Sequence, residues 1–407
     1  MKAFRGSLNL IIPVAIIVLL ANSVQAEFRL INLGTLGGVL PPGVNRVAIN
    51  DRGEIIGNGL GTNGIQHAYC YSDGAFRRLS TNPWTAAAIN DAGQIVGSRW
   101  VLVTNIWFSS PGGPPVSTNV AFAQQPVIFR NGLPVNLFPG VNYGGAMGIN
   151  DKGEIVGSVS LNGNLAHGFA YRNGLITDLG SGFMATGIND FGDVIGQSFT
   201  FSLVVHPLLY HDGLTQDLGT LGGTTGLPTA INDLDEIVGW STTTSNAETH
   251  AFLYRNGTMT DLGTLGNWPD IPGTLSYSTA SAINNWGQIV GTSTTTNGEH
   301  AFLYQDGTMT DLNGLVKLTH ISGLPGFLTS TSADGINVTD LNDLVKLTHI
   351  NGPPGFLILT SADGINDRGQ IVGEGPFWDG KHVTTDVFLL DFHPEHQPGA
   401  TGVMFDR

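Results

Sequence analysis

The sequence predicts an all-β fold: a seven-bladed β-propeller of four-stranded antiparallel blades, the last blade closed by the amino-terminal strand. Three observations predict it. The pattern Ile-Asn-Asp-x-Gly-x-[Ile/Val]-[Ile/Val]-Gly recurs along the 407 residues. Aromatic runs and Asn-Gly or Asp-Gly dipeptides alternate with it, so each unit holds four short strands and their tight turns. The composition, with 57 Gly and only 12% charged residues, suits many short strands and excludes a coiled coil, a long helix or a charged disordered tail.

Along the chain, residues 1–26 read as a secretory signal. Lys2 and Arg5 form the positive end, Leu10 to Ala21 carries no charge, and Val24-Gln25-Ala26 offers a small-x-small cleavage site. The mature chain then begins at Glu27 and is secreted or periplasmic, with no membrane span after cleavage. The apolar run is shorter than the roughly 20 residues a span needs; retention as an uncleaved anchor is the alternative.

The repeat occupies 27–392. Ile-Asn-Asp stands at Ile49, Ile89, Ile149, Ile188, Ile231 and Ile365, and Ile283-Asn284-Asn285 is a seventh, altered copy. One copy has Asp235 in place of the first Gly. Successive spacings are 40, 60, 39, 43, 52 and 82 residues, and the last is inflated by a duplication within the loop segment 311–366. There Asp311 to Asn337 reappears as Asp340 to Asn366 with 22 of 27 positions identical. Units of about 40 to 50 residues with four strands are propeller blades by their period.

The first strand ends in Ile-Asn after small residues such as Ala86, Ala87 and Ala88, which suit a crowded innermost position. The second is the Ile-Val-Gly run, the third an aromatic run such as His250 to Tyr254, and the fourth resembles Thr258 to Leu262. Asn-Asp-x-Gly turns the first strand into the second; dipeptides such as Asn256-Gly257 turn the third into the fourth by supplying positive φ. Six units have their own fourth strand, and the missing one is matched by Phe28 to Gly38 at the other end of the chain. Phe377-Trp378-Asp379-Gly380 also resembles a third-to-fourth turn, which would shift the last blade's register. Residues 393–407 form a tail.

These motifs resemble the HAF-repeat family, a set of extracellular repeat proteins of bacteria. The resemblance rests on His300-Ala301-Phe302-Leu303-Tyr304, on Asp261-Leu262-Gly263-Thr264-Leu265-Gly266, and on Ile365-Asn366-Asp367-Arg368-Gly369-Gln370-Ile371-Val372-Gly373. It covers nearly all of the mature chain and implies secretion, with no general activity attached. Members often end in a sorting anchor; the pattern before Arg407 does not match one, so a released or periplasmic product is expected.

Charge and chemistry narrow the function. With 17 Lys+Arg against 32 Asp+Glu, the net charge of −15 repels phosphate backbones and excludes a nucleic-acid partner. Evenly spread, it serves solubility and a monomeric state. Cys70, the only cysteine, lies in an apolar run and reads as core. His67, His167, His206, His250 and His300 open third strands. Equivalent blade positions are too far apart for one metal, so a structural bond tying loops is expected and no metal site. The Asn-Asp-x-Gly turns offer too few oxygens for calcium, and no cofactor or catalytic motif is present. Glu154, Glu236, Glu248 and Glu299 show no evident partner.

Candidate binding residues are aromatics in loops. Trp100, Trp107 and Phe108 lie in an insertion, 100–124, between a second and third strand; Trp268 and Tyr277 lie in another long loop. Covering a blade edge is the alternative reading for each. Four alternating strands put the 1–2 and 3–4 turns on one face and the 2–3 and 4–1 loops on the other. The second face holds nearly all the length variation (100–124, 197–206, 219–229, 263–279 and 313–363), and variable loops on a rigid ring carry binding. The expected function is a non-catalytic binding or scaffold module whose partner is an extracellular or envelope protein or polysaccharide. A carbohydrate-active enzyme, a glycoside hydrolase or lyase with its site over the channel mouth, and a structural envelope or matrix protein are the alternatives.

Overall fold

The computed structural model describes residues 28–35, 47–61, 64–81, 83–108, 115–130, 133–139, 143–160, 166–198, 204–244, 248–266, 275–296, 298–315, 345–346, 356–378 and 382–392. Four-stranded antiparallel blades are arranged as a β-propeller, and helix among the described residues is confined to Leu312–Leu315. One sheet comprises Ala48–Ile49, Ile55–Leu60, Gln66–Ser72 and Ala75–Arg78. Three more follow the same meander from first to fourth strand, beginning at Phe183–Ile188, Gly222–Ile231 and Ser278–Ile283. An eight-stranded sheet holds two such meanders, starting at Trp84–Ile89 and Tyr143–Ile149, joined by the parallel pair Tyr143↔Gln124.

The turns form as their residues dictate. Asp73, Asn173, Asp212, Asn256 and Asp306 each adopt positive φ before a positive-φ Gly, the backbone of a two-residue hairpin. Asn131-Gly132 lies outside the described residues. Asp235, standing where other copies have Gly, takes φ 58. The Gly after Ile-Val has another cause. A Cβ on Gly97, Gly157, Gly196, Gly239, Gly291 or Gly373 would come within 2.5 Å of a carbonyl oxygen of the first strand. The first strands approach this closely at a register shift, such as that between Ala280 and Ala282 or between Ala362 and Gly364. Such a bulge leaves one residue unpaired and re-aims its side chain.

The core lies between neighbouring sheets. Phe252, Phe302 and Phe388 of the third strands are fully buried. Phe302 packs against Val238 and Ala251 of the preceding sheet, and Phe388 against Val290 and Ala301. Each such phenylalanine contributes about 1.5–3 kcal/mol by leaving water. Cys70 is buried in a similar layer with Trp84 and Val127, and burial pushes its thiol pKa up.

The chain ends are paired. Phe28–Gly34 runs antiparallel to Val383–Phe392, with Ile31 opposite Leu389, and the buried Asn32 donates to Asp386 at 2.8 Å. Ser361–Ile365, Ile371–Trp378, Val383–Phe392 and Phe28–Gly34 therefore follow one another across a sheet, with Phe356–Leu357 and Val345–Lys346 added at one end. Phe377 and Trp378 belong to the second strand here, and Asp379-Gly380 of the alternative turn lie outside the described residues. The rest of the duplicated segment, the signal at 1–26 and the tail at 393–407 lie outside the described residues.

Two loop assignments are corrected. The insertion at 100–124 is not a loop: strands Ile95–Phe108 and Pro115–Arg130 continue the blade's second and third strands in unbroken register from Ile95↔Phe129 to Trp107↔Ser117. Gly-Pro residues suggested a loop, but the β-branched and aromatic residues on both sides of them pair as strands. Most of 219–229 likewise belongs to the strand Gly222–Ile231.

Candidate functional site

The Ile-Asn-Asp turns surround one mouth of the axis. Asn50 Nδ2 donates to the Asn90 carbonyl, Asn90 to Asn150, Asn150 to Asn189, Asn189 to Asn232, Asn232 to Asn284, Asn284 to Asn366, and Asn366 back to Asn50. A second series lies outside it. The Asp51 N–H donates to Asp91 Oδ1 at 2.7 Å, and the same bond repeats from turn to turn until the Asp367 N–H returns to Asp51. Asn285, the altered copy, uses its extra N–H groups on Oδ2 of Asp233 and Asp367. The recurring letters of the repeat thus hold neighbouring turns together, with an open cavity lined by the carboxylates at the mouth. Burial raises the pKa of Asp51 and Asp151, and neighbouring aspartates raise it further.

Most of the remaining repeated polar groups are paired inside single repeats. His167, His206, His250 and His300 each bring Nδ1 to an aspartate eleven residues on, at 3.0, 2.8, 2.8 and 2.6 Å. Each bond ties the start of a third strand, beside the 2–3 loop, to the end of the fourth, beside the 4–1 loop, and lies within one blade. His67 is buried. Glu154 meets Arg172 at 3.3 Å, Glu236 meets Arg255 at 3.2 Å and Glu248 meets His250 at 3.7 Å; Glu299 holds the Tyr277 hydroxyl. All four glutamates thus have partners that the sequence did not reveal. Among the described residues no group of three or more His, Cys, Asp or Glu is placed to hold a metal.

The channel is lined by the bulged position of the first strands. Ala87 and Met147 give one side an apolar wall; Thr186, Thr229, Ser281 and Asp363 form a polar one. Thr186 and Thr229 donate to the Pro228 and Ala280 carbonyls of the next first strand, at 3.1 and 2.8 Å. Asp363 is the only ionisable side chain lining the channel among the described residues. Asp363 is half-buried among the first strands, with part of its surface on the channel. Desolvation, then the nearby Glu374, pushes its pKa well up, which favours a neutral acid.

On the face of the 2–3 and 4–1 loops, the paired strands Ile95–Phe108 and Pro115–Arg130 project as an arm. Ordinary second strands here, such as Ile155–Ser160, have six residues, and the arm strand has 14. The excess carries it about 25 Å past its neighbours at the usual rise per residue. No charged residue occurs between Trp100 and Gln124. At the arm's base Trp100 is 40% exposed and opposite Gln124, which is itself paired with Tyr143, 46% exposed. Directly paired residues share a sheet face, so the two aromatics flank the glutamine, about 10 Å apart across three strands. Trp107 and Phe108 lie at the far end of the same strand.

The other predicted residues stand elsewhere. Tyr277 is half-buried; its backbone carbonyl accepts from Thr294, and burial and Glu299 raise its hydroxyl pKa. It belongs to the repeat of Asn284, across the ring from Trp100, so the structure does not bring the two together. Trp268 lies outside the described residues. Tyr143 was missed by sequence reasoning because it opens a first strand and becomes a partner of Trp100 only through the arm.

No protein-family model and no curated protein matches the sequence. Among solved structures, the chain is similar to an acylaminoacyl peptidase of Pyrococcus horikoshii at 12% identity and TM-score 0.45, covering 77% of this chain and 49% of that one. It spans about half the length of that peptidase. The β-propeller domain of the Trilobed protease from Pyrococcus furiosus, described as having an open velcro topology, matches at 10% identity and TM-score 0.42, over 65% of this chain and 82% of that one. TolB from Acinetobacter baumannii matches at 16% identity and TM-score 0.38, over 60% and 58%. These likenesses concern propeller architecture and carry nothing about activity.

Proposed function

We propose that the chain is a secreted, seven-bladed β-propeller of the HAF-repeat type, acting as a non-catalytic binding or scaffold module through its 2–3 and 4–1 loop face. Its ligand is an extracellular or envelope polysaccharide or protein. Support for the blade count is the closed series of seven Asn side chains, the last donating back to the first. Support for the amino-terminal strand as the closing strand is its register with Val383–Phe392.

The observation that carries the binding role is the Trp100–Gln124–Tyr143 row at the foot of the uncharged arm. Two exposed rings beside an amide give flat apolar surfaces with a hydrogen-bonding group between them, the chemistry on which sugar rings or extended peptides lie. The test is a glycan array and an extracellular-protein pull-down with the purified mature chain, with Trp100→Ala, Tyr143→Ala and a variant in which a short turn replaces 101–123. Capture that falls at least tenfold in all three variants supports the reading; capture unchanged by all three refutes it.

A further inference from the structure

We propose that the opposite, turn-lined face is a second docking surface, and that its partner is a protein segment carrying lysine or arginine beside large apolar residues. The surface is built from the one position of the Asn-Asp-x-Gly turn that the fold leaves free. Around the ring this position holds Arg52, Ala92, Lys152, Phe191, Leu234, Trp286 and Arg368. Three successive turns thus present large apolar side chains outward: Phe191 is 71% exposed, Leu234 64% and Trp286 76%.

The three side chains form one arc. Each directly follows Asp190, Asp233 or Asn285, and these residues are bonded in series at 2.9 Å, so the tips stand on adjoining turns. Trp286 Nε1 donates to the Asp367 carbonyl at 2.8 Å, which holds the indole across the next turn. A polar side chain costs nothing at a turn tip, and the other four turns have mostly basic ones. Contiguous exposed apolar surface of this kind marks an interaction site.

Charge decides what covers it. Inside the arc lies the carboxylate series at the mouth, where one oxygen of each aspartate accepts a neighbouring N–H. Outside it, Asp235 hydrogen-bonds Asp193, which pairs with His211, while Arg172 donates to the Gly192 carbonyl at 2.7 Å and Arg255 meets Glu236 at 3.2 Å. Cations flank the arc: Lys152 stands over the Phe191 ring at 5.8 Å and Arg368 follows Asp367 beside Trp286, while Arg52 is paired with Glu54 at 2.5 Å. These three basic tips stand against six turn aspartates, so the mouth keeps a negative balance. An apolar arc with the carboxylate series along its inner side fits a segment with alternating cationic and apolar side chains. It repels a second copy of a chain with net charge −15.

The proposal is independent of the loop-face reading, since the two surfaces lie on opposite ends of the strands. The experiment titrates the purified chain with short synthetic peptides alternating Lys and Leu, Glu and Leu, or Lys and Ser. Calorimetry gives affinity, and tryptophan emission is compared with that of Trp286→Ser. The Lys–Leu peptide is expected to bind at least tenfold more tightly than the other two, to weaken with salt, and to shift emission only when Trp286 is present. Phe191→Ser with Leu234→Ser and Trp286→Ser, and separately Asp190→Asn with Asp233→Asn, each lower its affinity at least tenfold. The latter pair keeps the fold, because Asn285 already fills the equivalent place in one repeat. The 101–123 turn replacement binds the peptide normally, which separates this surface from the arm. Equal binding by the triple variant, or equal binding of the Glu–Leu peptide, overturns the proposal. So does tighter binding to zwitterionic lipid vesicles that the triple variant loses, because the surface would then be a lipid one.

Discussion

Replacing Asn232 by Ala tests whether the Asn series holds the ring. Asn232 is buried, donates to Glu236 Oε2 at 2.8 Å and to the Asn284 carbonyl at 3.1 Å, and accepts the N–H groups of Leu234 and Glu236, both at 3.0 Å. Truncation strands the buried Glu236 N–H, at about 1–3 kcal/mol. The Asn284 carbonyl keeps its bond from Gly287, so losing the side-chain bond costs only the net worth of one hydrogen bond, about 1 kcal/mol. Glu236 keeps Arg255, and water at the open mouth reaches Leu234. The sum is about 2–4 kcal/mol, or about 2–5 °C in melting temperature for a chain of this size. Urea unfolding followed by tryptophan emission measures it as a lower midpoint at unchanged slope. Asn232→Asp keeps the acceptor but loses both donor bonds beside Glu236, so it is also destabilised. A loss below about 1 kcal/mol in Asn232→Ala, or full stability in Asn232→Asp, would refute the claim that these amides tie the turns together.

Other expectations follow from single positions. Gly291→Ala puts a Cβ 2.0 Å from the Thr279 carbonyl oxygen, so it destabilises by about 1–3 kcal/mol or more, while Gly266→Ala, with nothing nearer than 3.8 Å, is close to neutral by the same urea assay. Asp363 has a folded pKa well above the ordinary 3.8, so the folded state holds a proton that the unfolded state releases as pH rises past that value. Stability is therefore lost on going from acid to neutral pH, and Asp363→Asn, which removes this term, gains stability at pH 7 relative to pH 3; no pH dependence of the gain would refute the channel environment. His211 and Asp235 are also raised, by Asp193 and by burial respectively. The same sign applies: the His211 contribution is fully present below its ordinary 6.5 and the Asp235 contribution below its ordinary 3.8, and each is lost as pH rises through the raised folded value. His211→Ala flattens the upper part of the stability-against-pH curve.

Much of the fold was legible because each repeat solves the same local problem. Asn256-Gly257 and its counterparts need positive φ, and the Gly of Gly291 needs room for a neighbouring carbonyl, so the letters recur wherever the geometry does. The site was less legible. Trp100 was found as an exposed aromatic, but its partnership with Tyr143 arises from the pairing of Gln124 with both, between residues of different units. Phe191, Leu234 and Trp286 sat in a position that the motif treats as free, and an apolar residue at a polar turn tip was the signal available there. Asp363 looked like one more residue of an innermost strand until a register shift aimed it into the channel.

The sequence by itself determined the strand content, the turn types and the period of the repeat, since these depend on residues a few positions apart and on backbone sterics. Only the tertiary structure decided which copies are neighbours across the gap between Asn366 and Asn50, where 316 residues separate bonded partners, and which side chains share a face there. Contacts between distant segments reflect the summed packing of whole sheets, and no local pattern of residues encodes that sum.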